Sequence, residues 1–354
     1  MENPLQEMSD QIEPLDEGAL KAARDKWNAV AKPIGSLGLL ELMVEKIAGL
    51  TGSADVEIGK RAVVVLCADN GVVAQGVTQS EPDITTLIAG SVAKGISSVC
   101  KMAQVAGADA FSVDMGMLDP SDVEGVIDRH VARSTQDISL GPAMTRDEAL
   151  QAIRAGVDLV GDLKARGYQA IATGEMGIGN TTTSSAMTAA FFGLPVDEVT
   201  GRGAGLSNAG LERKKAAIGR ALEVNQPDAG DALDVLSKLG GFDIAGLAGM
   251  FIGGAVHRVP IVVDGFISAL AAYTAAQLCP GCECAMLASH VSAEPAAHRL
   301  LESLGLDAPI SAGLRLGEGT GAVCLFPLLD AALALYNGTT FDETGMDAYE
   351  VDLK

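Results

Sequence analysis

From Arg61 onward the chain alternates short apolar runs with glycine-rich or acidic turns and helical stretches. RAVVVLCAD (61–69), ADAFSVD (108–114), YQAIATGE (168–175), VPIVVDG (259–265) and CAMLASH (284–290) read as strands. They are almost continuously apolar rather than alternating, which means burial on both faces, the condition of parallel strands covered by helices. The pattern predicts an α/β fold with a doubly wound, mostly parallel sheet of Rossmann-like type, joined by right-handed crossovers. The first 60 residues differ: amphipathic stretches near 17–30 and 38–50 predict two helices, broken by KPIGSLG (32–38). This divides the chain into an N-terminal helical segment (1–60), an α/β domain (61–336) and an acidic tail (337–354) expected to be poorly ordered. The polar, turn-rich stretch 116–145 is expected to form an excursion from the sheet.

Composition sharpens the picture. Hydrophobic residues make up 48% of the 354, but aromatics only 4%, so alanine, glycine, valine and leucine fill the core, as suits layered α/β packing. Twenty-five basic against 46 acidic residues leave a net charge of -21, a field that opposes nucleic acid and anionic membranes as partners. The first 20 residues lack the basic start and apolar stretch of a signal peptide, and no run reaches the length of a membrane span; the expectation is a cytoplasmic protein. Six cysteines are scattered, apart from CPGCEC (279–284). That cluster could hold zinc with His290 as a fourth ligand, or form a plain reduced turn between helix and strand.

In open parallel sheets ligands bind beyond the carboxyl ends of the strands. Five chemistry-bearing loops fall there: ADNGVVAQGVTQSEPD (68–83), GEMGIGNTTT (174–183), VDGF (263–266), SHVSAEP (289–295) and RLGEGTG (315–321). GIGNTTT opens a helix, so its backbone N–H groups favour an anion such as phosphate, although Asn180 or Thr181 could equally be a plain N-cap. GRGAGLS (201–207) precedes a helix with Lys214 and Lys215, either phosphate ligands or a solvated face. There is no G-x-x-x-x-G-K-[ST] loop, and GRGAGLS only approximates a dinucleotide fingerprint, which leaves a nicotinamide-dependent oxidoreductase weakly supported. No G-x-S-x-G occurs, and the four histidines lack metal spacing. Carboxylates remain: Glu175, Asp264, Glu294 and Glu318. Capping of backbone N–H groups would account for Glu175 and Asp264. Glu318 stands among three glycines ahead of an apolar run, where desolvation raises a carboxyl's pKa and makes it a usable base.

Taken in order, KPIGSLG, ADNGVVAQGV, GEMGIGNTT, GRGAGL, GGFDIAGLAG, VDGFIS, SHVSAEP and RLGEGTGA resemble the nicotinate-nucleotide–dimethylbenzimidazole phosphoribosyltransferase family over about residues 32–336. The resemblance implies an α/β catalytic domain with a small helical domain, to which residues 1–60 contribute. It implies transfer of phosphoribose from nicotinate mononucleotide to an aromatic base, with no metal or cofactor, in a homodimer or a heterodimer with a paralogue. Carried over, Glu318 is the general base. Glu175 and Lys214 contact the ribose phosphate and the nicotinate region. Met176, Gly177, Gly179, Asn180 and Thr181, with Asp264 and Ser292, frame the nucleotide. Thr78 or Ser80, together with Asp83, flanks the aromatic base. The chain departs from the family pattern at Asn70, where histidine is usual, at Thr78 to Ser80, and at Asp83, where glutamine is expected. These departures leave dimethylbenzimidazole, a related base and a phenol all open, and a partner-dependent, non-catalytic paralogue is the alternative.

Overall fold

The computed structural model describes residues 4–81, 83–119, 123–203 and 205–349. Pro82 of the QSEPD stretch, Ala204 of GRGAGLS and residues 350–354 of the tail lie outside them.

Six strands form one sheet in the order β3-β2-β1-β4-β5-β6, all parallel: β1 (Arg61–Ala68), β2 (Ala108–Gly116), β3 (Ile127–Asp128), β4 (Ala170–Met176), β5 (Ile261–Val263) and β6 (Met286–Ala288). This is the doubly wound α/β arrangement that the apolar runs predict. β1 shows why those runs carry no alternation. Ala62, Val64, Leu66 and Ala68 pack into one core layer, while Val63, Val65 and Cys67 pack into the other. Both faces are dry, so every position after Arg61 is apolar.

The helices Arg146–Ala165, Asn180–Phe192, Phe242–Val256 and Phe266–Leu278 cover the first face. Phe242–Val256 is buried along its length except at Val256, between the sheet and Arg146–Ala165. Its glycines allow that depth: a Cβ at Gly249 would overlap the Ile153 carbonyl oxygen, so the two helix backbones touch. The second face is covered by Glu17–Ala29, Leu39–Thr51, Asp83–Ala93, Ser98–Val105 and Leu325–Tyr336. KPIGSLG links the first two of these through Lys32, whose buried ammonium donates to Glu41 Oε1 at 2.7 Å, where the Leu37 N–H also donates at 2.8 Å. The Trp27 ring packs tilted against Tyr336 with centroids 4.8 Å apart, joining the N-terminal segment to the last long helix.

Three expectations need correction. The 116–145 stretch does leave the sheet, but returns to add β3, where Val113 pairs with Ile127 and Asp114 with Asp128. The runs 259–265 and 284–290 yield strands of only three residues, because Cys282–Ala285 winds into a 3₁₀ turn and Asp264 leaves the ladder to bond a neighbouring loop. The tail is ordered through its first turns: Thr340 bridges Val30, and Phe341–Thr344 is a helix with a Thr340–Glu343 capping box. No helix among the described residues is long and apolar enough to cross a membrane.

Candidate active site

Strand order reverses between β1 and β4, so their carboxyl ends diverge and leave a crevice. A cavity of about 340 Å³ occupies it. Of the residues expected at the site, Ser80, Glu175, Met176, Gly177, Gly179, Asn180, Thr181, Asp264, Ser292 and Glu318 all line this cavity. Two do not. Asp83 begins the helix Asp83–Ala93 and is exposed outside the lining, because the first turn faces its carboxylate to water. Lys214 is fully buried behind the wall, where its ammonium donates to Thr181 Oγ1 at 2.8 Å and to the Gly201 carbonyl at 3.3 Å. Burial pushes its pKa down to about 8, against the pull of Glu294. Lys214 is therefore no part of a solvated face; Lys215 is the one pairing with Asp197 and Glu212.

Glu318 sits on a backbone that only its neighbours make accessible. Its φ is 61°, between Gly317 at 85° and Gly319 at 87°, three successive residues in left-handed or related conformations. A non-glycine residue there is uncommon and persists where the surroundings dictate it. Asp264 supplies much of that dictation: its Oδ1 accepts from the Ala322 N–H at 2.8 Å and its Oδ2 from the Gly319 N–H at 3.3 Å. Asp264 thus caps the turn that carries Glu318. Glu318 Oε2 is buried with no hydrogen-bond partner. Burial raises its pKa, an N–H from Val99 opposes the shift, and Asp264 adds to it. An unpartnered carboxylate oxygen in a dry wall is costly, and is the form in which a carboxylate takes a proton from a ligand.

Beside it, Gly179 rather than Asn180 or Thr181 is the N-cap of the helix Asn180–Phe192. That frees the Asn180 amide to reach back, donating to Glu175 Oε2 and to Asp243 Oδ2 at 2.9 Å. Burial first, then Asp243, pushes Glu175 up to about 8, and burial pushes Asp243 up to about 6. Near neutral pH Glu175 therefore carries a proton. The lining also offers positive charge. Arg202 and Arg315 both line the cavity; Arg202 is tied to the Leu206 carbonyl and Asn208, while Arg315 has no side-chain partner among the described residues. Apolar lining comes from Val77, Ile84, Ile88 and Met176.

The reading of the sequence missed Asp243, Arg315 and the place of His290 on the cavity wall. Asp243 is the one charged residue in GGFDIAGLAGMFIGGAV, a signal as plain as that of Glu318. His290 lies beside Asp264 on the cavity wall, away from CPGCEC. Cys279 and Cys282 are buried and their thiols raised by that burial, and no cluster of three metal-ligating side chains occurs among the described residues.

A family model described as phosphoribosyltransferase matches residues 12–346. The chain is 43% identical over 339 residues to the nicotinate-nucleotide–dimethylbenzimidazole phosphoribosyltransferase of Acetivibrio thermocellus, covering 96% of this chain and 95% of that one. It is 42% identical to the protein of that name from Desulforudis audaxviator, covering 98% and 99%. The crystal structure of CobT from Thermus thermophilus superposes with a TM-score of 0.88 at 36% identity, covering 94% of this chain and 100% of that one. Fold, crevice and likeness agree, and the chain belongs to the nicotinate-nucleotide–dimethylbenzimidazole phosphoribosyltransferase family.

Proposed function

We propose that this cavity transfers phosphoribose from nicotinate mononucleotide to an aromatic base of the benzimidazole type, for assembly of a cobamide lower ligand. The observation that carries the reading is Glu318, which lines the cavity with its Oε2 buried and unpartnered, in company with Val77, Ile84, Ile88 and Met176. A flat base lying along these side chains presents its ring N–H to Glu318. The lone pair of its other nitrogen attacks C1′ from the face opposite nicotinate. The C1′–N bond breaks toward the pyridine ring, which leaves as neutral nitrogen, and the base proton passes to Glu318. Attack from the opposite face inverts C1′ to the α-linkage.

The phosphate belongs at the start of the helix Asn180–Phe192, with Arg315 as the counter-charge. Lys214 acts there through the Thr181 hydroxyl it holds, not by direct contact. Glu175, protonated, donates a hydrogen bond without repelling the nicotinate carboxylate.

Glu318→Gln keeps size and polarity but accepts no proton from an N–H acid. Turnover falls by about 10²–10⁴-fold, while nicotinate mononucleotide still binds by calorimetry. Near-normal turnover in that variant overturns the assignment.

A further inference from the structure

His290 is 4% exposed and lines the cavity, yet no role above uses it. Its protonation pattern follows from its neighbours. Ser289 Oγ stands 2.6 Å from the Val263 carbonyl oxygen and 3.4 Å from that of Asp264. Both are acceptors, so the single hydroxyl hydrogen is committed to Val263. The hydroxyl lone pairs then face His290 Nδ1, 3.0 Å away, and Nδ1 must carry the hydrogen in that contact. In the neutral ring this leaves Nε2 as a bare acceptor. Burial favours the neutral ring, against the pull of Asp264.

Nε2 has no partner among the described residues. A Cβ built on Gly265 would lie 3.6 Å from His290 Nε2 and 3.6 Å from Ser292 Oγ, so both polar atoms lie close to one spot over the Gly265 backbone. The ring is clamped from the far side by Gly321, where any Cβ would overlap His290 Cε1 and Nδ1. Gly321 is the last glycine of RLGEGTG, so the imidazole is wedged against the loop that carries Glu318.

We propose that His290 Nε2 accepts a hydrogen bond from a ribose hydroxyl of the bound nucleotide, with Ser292 Oγ beside it. This rests on the functional reading above. Phosphate oxygens and the nicotinate carboxylate are themselves acceptors and are repelled by a bare lone pair, and the pyridinium ring has no N–H or O–H. Within such a nucleotide the 2′- and 3′-hydroxyls are the donors that remain. The imidazole thereby fixes the sugar, and with it C1′, relative to the loop of the general base.

The test is calorimetric binding of nicotinate mononucleotide and its 2′-deoxy and 3′-deoxy analogues to the wild-type chain, His290→Ala and Ser289→Ala. The wild-type chain is expected to bind the ribonucleotide about tenfold more tightly than one of the two analogues, the worth of one hydrogen bond. His290→Ala binds that analogue and the parent alike. Ser289→Ala keeps the ring but frees its tautomer, and shows a reduced ratio. A wild-type ratio retained in His290→Ala overturns the proposal, as does a wild-type chain indifferent to both hydroxyls. If His290→Ala does not fold, an unchanged ratio in Ser289→Ala overturns it. A wild-type chain that binds none of the three overturns the functional reading as well, so the two failures are distinct.

Discussion

Replacing Glu175 by glutamine should make the fold more tolerant of alkali. The Glu175 carboxyl, ordinarily near 4.5, is pushed up to about 8 by burial and by Asp243, to which the Asn180 amide also donates. The folded chain therefore binds a proton that the unfolded chain has lost, between about pH 4.5 and 8. The stability this group contributes is fully present below the unfolded pKa and is lost as pH rises through the folded one. At 1.36 kcal/mol per unit the full penalty is at most about 5 kcal/mol, and a recessed rather than sealed carboxyl brings it to ~2–4 kcal/mol. Glutamine is neutral at every pH and still accepts from Asn180, so it escapes this loss. Asp243 and Lys214 titrate in both proteins and largely cancel in the difference. Urea unfolding followed by circular dichroism at pH 5 and pH 9 measures it. The stability of Glu175→Gln relative to wild type should rise by ~2–4 kcal/mol between those two values. A difference that stays flat, or falls, refutes the protonated resting state.

Gly249→Ala drives a methyl into the Ile153 carbonyl where two helix backbones touch. It should cost about 1–3 kcal/mol or more in a denaturant midpoint, and a midpoint at the wild-type value would contradict that packing. Asp83→Asn should leave turnover and preference among aromatic bases within about twofold of wild type, as for an exposed position away from the site. A changed base preference, read by product mass spectrometry with competing bases, would return Asp83 to the pocket.

The sheet was legible because burial on both faces leaves a mark on every residue of a strand, as in RAVVVLCA. β3 was not, because a two-residue edge strand is too short to leave any pattern. Most of the candidate site was legible because glycine-rich loops at strand ends converge in any doubly wound sheet. The placement of Lys214 was not. Whether a lysine on a surface-patterned helix turns inward depends on Thr181 and Gly201, more than ten residues away in sequence. Asp264 shows the same division: its position at a strand end is plain in VDGF, but its bonds to Gly319 and Ala322 depend on a loop some 55 residues later. The tautomer of His290 is set by the Val263 carbonyl acting through Ser289, a chain of contacts that spacing cannot reveal.

The most direct measurement is incubation of the purified chain with nicotinate mononucleotide and, separately, dimethylbenzimidazole, adenine, phenol and p-cresol, with mass spectrometry following nicotinate and each ribotide. The account predicts nicotinate release matched one for one by an α-linked ribotide phosphate of dimethylbenzimidazole. Folded protein that binds the nucleotide yet forms no ribotide with any of the four would contradict it.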